Sequence, residues 1–66
     1  MSNRIPRNAA RLEVTWLVDS NACPAGTTTE VWKDEFGWHE QIGGKYYSVF
    51  PAHLRNENVC KLKVIA

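Results

Sequence analysis

Trp38-His39-Glu40-Gln41-Ile42-Gly43-Gly44-Lys45-Tyr46-Tyr47-Ser48-Val49-Phe50 is the stretch that decides the fold. Two short runs with aromatic and β-branched residues flank a Gly-Gly pair, and adjacent glycines supply the positive φ angles that a tight hairpin demands. Residues 38–42 and 46–50 therefore read as paired strands, with residues 43–45 as the turn. Pro51 lacks a ladder donor and ends the second run, so residues 52–55 have room for one helical turn only.

The same pattern extends in both directions. Asp34-Glu35-Phe36-Gly37 reads as a tight turn, and Thr27-Thr28-Thr29-Glu30-Val31-Trp32-Lys33 before it reads as a strand. Residues 19–26 concentrate turn formers around Pro24 and Gly26 and make a loop. Ahead of that loop, Leu12, Val14, Trp16 and Val18 alternate with Glu13, Thr15 and Leu17, the period of two that a half-buried strand requires. Downstream, residues 56–58 turn again and residues 59–65 form a fifth strand, with Cys60, Leu62 and Val64 on one face and Lys61 and Lys63 on the other. Residues 1–10, interrupted by Pro6 and Asn8, read as a flexible lead-in to a single domain over residues 11–66.

Five short strands in 66 residues leave no room for two stacked sheets, so the expected fold is all-β: a small, strongly bent five-stranded barrel with one short helical turn. Strand parity then assigns faces. With Leu12, Val14, Trp16 and Val18 inside, Leu17 points out; with Val31 inside, Trp32 points out; with Phe50 inside, Tyr47 and Val49 point out. Exposed aromatics on a small domain mark a contact surface.

Composition excludes several classes. At 44% hydrophobic and 23% charged, with no long apolar window and no apolar stretch near the N-terminus, the chain reads as a soluble cytosolic domain without a membrane span or signal peptide. The net charge of +1 is unevenly spread. Residues 1–11 carry +3 (Arg4, Arg7, Arg11), residues 12–42 carry −5, and residues 43–66 carry +3 (Lys45, Arg55, Lys61 and Lys63 against Glu57). A dedicated nucleic-acid binder concentrates its basic field, which this chain does not. Cys23 and Cys60 are too far apart for a CxxC pair and read as lone thiols. Together with His39 and His53 they have ligand types suited to zinc but none of the close spacings, so no metal and no cofactor are expected. No nucleophile and base share a motif, no phosphate loop is present, and no enzymatic activity is expected.

From residue 24 to residue 54 the order of features resembles a Src-homology-3 barrel. The residues that carry the resemblance are Pro24-Ala25-Gly26-Thr27, Thr29-Glu30-Val31-Trp32, Lys33-Asp34-Glu35-Phe36-Gly37-Trp38, Gly43-Gly44 and Val49-Phe50-Pro51-Ala52-His53-Leu54. It implies an SH3-like barrel, and by position Trp38 and Pro51 would line a groove for proline-rich ligands. Leu54 stands where the family has an aromatic residue, the acidic loop has shrunk to residues 19–23, and Leu17-Val18-Asp19 replaces a tyrosine-rich strand end. Recognition of PxxP peptides in the family's manner is therefore not expected.

The functional expectation is a non-enzymatic protein-binding module, in role a small accessory or inhibitory protein of a phage or other mobile element. It would act through Trp38 as anchor, with Trp32, Tyr47 and Pro51 extending the patch and Asp34 and Glu35 on its rim. The alternative is a small nucleic-acid-binding barrel using Arg4, Arg7, Arg11, Lys61 and Lys63. A monomer or a weak homodimer is expected.

Overall fold

The computed structural model describes residues 3–20 and 22–65. Met1, Ser2, Asn21 and Ala66, which fall in the expected lead-in, loop and domain end, lie outside the described residues. The chain is mostly β: β1 (Arg11–Trp16), β2 (Thr28–Asp34), β3 (Gly37–Ile42), β4 (Lys45–Val49), the short helix α1 (Pro51–Arg55) and β5 (Cys60–Val64). All five strands pair antiparallel in one sheet of order β4-β3-β2-β1-β5. The sheet is not closed into a barrel, and β4 and β5 are its edges.

Turn chemistry sets the register. Gly43 and Gly44 both have positive φ, 58° and 81°, so the β3–β4 turn contains only these two residues and Ile42 lies opposite Lys45. Counting back from that pair places Glu40 opposite Tyr47 and Trp38 opposite Val49. Alanine at either glycine must hold a left-handed conformation, which is expected to cost about 1 kcal/mol and lower the thermal midpoint by about 4–8 °C. Differential scanning calorimetry of Gly43→Ala and Gly44→Ala checks this; an unchanged midpoint for both would mean that the turn does not hold the register.

Across the sheet the pairing collects Leu12, Val14 and Trp16 of β1, Val31 of β2, Trp38 and Glu40 of β3, Tyr47 and Val49 of β4, and Cys60 of β5 on one face. Among the described residues no helical layer covers that face beyond the single turn of α1, so the sheet curls over its own side chains. Residues from both edge strands consequently share one core, in which Val49 and Cys60 join Leu12, Val14, Val31 and Leu54. The segment before β1 contributes Ala9 to that core and packs Ile5 against it. Asn3 ties the segment down: its backbone N–H donates to Arg55 O (2.7 Å) and its side-chain amide to Leu54 O (3.0 Å) and Cys60 O (2.8 Å).

Five expected orientations are corrected, at Val18, Tyr47, Val49, Phe50 and Trp38. Val18 is 43% exposed because β1 ends at Trp16, beyond which the chain leaves the sheet and the alternation lapses. Val49 is buried, Tyr47 lies on the inner face with it, and Phe50 is 65% exposed, the reverse of the parity expected, because the two-residue turn places Tyr47 and Val49 opposite Glu40 and Trp38 on the face of Val31. Trp38 is only 6% exposed, since pairing with Lys33 and Val49 puts it on the face shared with Val31. Val64 keeps the expected face, shared with Cys60 and opposite Leu12, but is half exposed at the end of the edge strand.

Candidate functional site

The corrected parity opens a groove of about 390 Å³ beside the end of β4. Its floor comes from Trp16 and Glu40, one wall from the β1–β2 loop, and the other from Tyr47 and Phe50. The loop is built to hold its shape. Ser20 accepts the N–H of Ala22 and of Cys23 at its hydroxyl (3.2 Å each) and donates its own N–H to Cys23 O (2.9 Å), while Asp19 Oδ1 accepts the N–H of Ala25 (2.8 Å). Phe50 sits at the N-cap of α1, where its carbonyl accepts the N–H of His53 (3.0 Å) and of Leu54 (3.3 Å). Its ring stands edge-on to His53, centroids 5.6 Å apart, which holds a large apolar surface at the rim.

A polar chain runs under the floor. The Trp16 indole N–H donates to Thr29 Oγ1 (2.8 Å), and the Thr29 hydroxyl donates to Glu40 Oε2 (3.1 Å). Glu40 is 5% exposed, yet among the described residues its second oxygen has no hydrogen-bond partner. Among the described residues no fully buried side-chain polar atom lacks a partner, so that oxygen keeps contact with solvent, which Glu40 meets through the groove. A concave, largely apolar surface with a few fixed polar groups is the usual form of a recognition site.

The six residues expected to form the contact patch do not come together. Tyr47 and Trp38 share the inner face, with Trp38 in the core; Trp32 and Asp34 lie on the outer face. Pro51 opens α1, and Glu35 lies exposed in the β2–β3 turn beside Phe36, which is 82% exposed. On the outer face half-buried Trp32 meets Tyr46 edge-on (6.1 Å) and His39 at a tilt (6.4 Å). Asp34 Oδ1 holds the His39 Nε2 at 3.0 Å and accepts the N–H of Phe36. Phe50 and Glu40 were not expected at a site. Counting pairs outward from a two-residue Gly-Gly turn was the signal in the sequence that could have found them.

The five basic residues of the alternative reading are also dispersed. Arg11 pairs with Glu30, its Nε donating to Oε1 at 2.7 Å, and Lys63 and Lys61 lie on the outer face of β5 opposite Glu13 and Thr15. Acidic and basic side chains thus interleave on that face. Arg4 and Arg7 are exposed in the lead-in, and Arg7 lies instead beside Lys33 and Arg55 around a second hollow. Among the described residues no group of three or more His, Cys, Asp and Glu side chains could hold a metal ion. Cys23 and Cys60 are free and buried, and burial pushes the Cys60 thiol up, against a smaller opposing pull from Asn3. No helix among the described residues is long and apolar enough to cross a membrane. No protein-family model matches the chain, and no curated protein or solved structure does.

Proposed function

We propose that the chain has an SH3-like fold, an incompletely closed barrel, and works as a non-enzymatic protein-binding module, which docks a segment of a partner between the β1–β2 loop and Phe50. The observation that carries this reading is the groove itself: about 390 Å³, with Trp16, Tyr47 and Phe50 along it and Glu40 at its floor. Aromatic side chains of this kind supply most of the energy where proteins meet. The barrel assignment is supported by the hairpin at Gly43-Gly44, the Gly37-Trp38 start of β3, the single helical turn after Phe50-Pro51, and a core common to both edge strands. The non-enzymatic reading is supported by the state of Cys60, whose raised pKa and full burial keep it from acting as a nucleophile.

Selection of a random peptide library against the protein tests the proposal. Enriched peptides are expected to lose at least tenfold in affinity to Phe50→Ala, whose side chain is too exposed for the fold to depend on it, and to bind Trp32→Ala as they bind the parent. Peptides indifferent to Phe50→Ala but lost with Trp32→Ala would move the contact surface to the outer face and overturn the groove reading.

A further inference from the structure

The second hollow, of about 280 Å³, lies where the lead-in crosses the end of the sheet, and it is lined by Ile5, Pro6, Arg7, Lys33, Trp38 and Arg55. Three of its six residues are cations and none is an acid. They come from three elements: the lead-in, β2 and α1. Asn3 fixes the lead-in to α1 and to the residue that opens β5, the Ala9 N–H bonds to Pro6 O (3.1 Å), and the Lys33 N–H bonds to Ala10 O (2.9 Å). The backbone that carries Arg7, Lys33 and Arg55 is therefore held in place around the hollow.

Two features of this arrangement are unusual for a solvated surface. Lys33 lies on the inner face of the sheet, in register with Trp38 and two positions from fully buried Val31, so a charge stands where the strand pattern calls for an apolar group. Among the described residues neither it nor Arg7 nor Arg55 makes an ion pair. Trp38 supplies the second, independent observation. Its side chain is more than nine-tenths buried, and its indole N–H has no acceptor among the described residues, in contrast to that of Trp16. Because among the described residues no fully buried side-chain polar atom lacks a partner, this N–H keeps contact with solvent, and the hollow is the cavity that Trp38 lines.

We infer that this hollow is a binding site for a phosphate group. Guanidinium forks, an ammonium and an indole N–H are all donors without acceptor capacity, and together they match the several oxygens and the double charge of a phosphate better than a single carboxylate. A bound phosphate would join the lead-in to β2 and α1, and so stabilise the folded chain by mass action. The site shares no lining residue with the groove and stands or falls separately from the protein-binding reading.

Thermal unfolding and two-dimensional NMR of the full chain, titrated with inorganic phosphate against sodium chloride at matched ionic strength, test the inference. The expected result is a saturable rise of the midpoint in phosphate alone, with the Trp38 indole resonance shifting along the same curve. Lys33→Gln and Arg55→Gln should each weaken that response at least tenfold, whereas Arg4→Gln and Lys61→Gln leave it unchanged. Repeating the titration with O-phosphoserine and adenosine monophosphate identifies the carrier of the group, and tighter binding of either supports the site. An equal rise in chloride, a Trp38 resonance that does not move, or an equal loss with Arg4→Gln and Lys61→Gln would reduce the effect to general screening and overturn the inference.

Discussion

Trp38→Ala is expected to abolish cooperative unfolding. The indole is buried between Lys33 and Val49 on the inner face and belongs to the cluster that contains Leu12, Val14, Val31 and Leu54. Replacing a core tryptophan by alanine costs about 3–5 kcal/mol, whereas a chain of this size has only a few kcal/mol of net stability. Trp16→Ala should be as severe, because it also severs the link through Thr29 to Glu40 and leaves that buried carboxylate with a less constrained donor. Urea titration followed by near-ultraviolet circular dichroism is the check. A Trp38→Ala variant that keeps the parent spectrum and midpoint would show that the indole is peripheral, contrary to the register described above.

The positions of the five strands were legible because each carries a local signal: alternation in residues 12–16, β-branched residues around Val31, glycines at 43 and 44, and a proline that stops β4. The faces of β4 were not, because they turn on whether the hairpin loop has two residues or three, and a slip of one position exchanges every side chain. The groove and the hollow were hidden for a different reason. Each joins side chains from distant parts of the sequence, Trp16 with Glu40 and Phe50 in one case and Arg7 with Lys33 and Arg55 in the other. The β1–β2 and β1–β5 registers, together with the β2–β3 and β3–β4 hairpins, bring such residues together. Nor does the sequence mark Asn3, one polar residue in a lead-in that reads as frayed.

Asn3→Ala is the second large effect expected. The side-chain amide serves the carbonyls of Leu54 and Cys60, which flank fully buried side chains, so its loss removes two hydrogen bonds and uncouples Ile5 from the core. The expected destabilisation is about 2 kcal/mol, since partly buried acceptors lose their donors together. Chemical denaturation of Asn3→Ala beside Asn8→Ala, an exposed control in the same segment, measures it. Equal midpoints for the two variants would show that the lead-in adds nothing to the stability of the sheet.

The long reach of Asn3, across 57 positions to Cys60, also has a kinetic consequence. The β3–β4 hairpin closes over two residues, while the β1–β5 ladder must bring together segments more than forty residues apart, which costs roughly 2–3 kcal/mol more in loop entropy. The meander of β2, β3 and β4 therefore assembles early, and the β1–β5 seam with the Asn3 clasp over it closes after the main barrier. Interactions formed so late act as a latch: losing them leaves the refolding rate near that of the parent and accelerates escape from the native state. Stopped-flow unfolding of Asn3→Ala should carry most of the lost stability; slower refolding instead would place the clasp inside the folding nucleus.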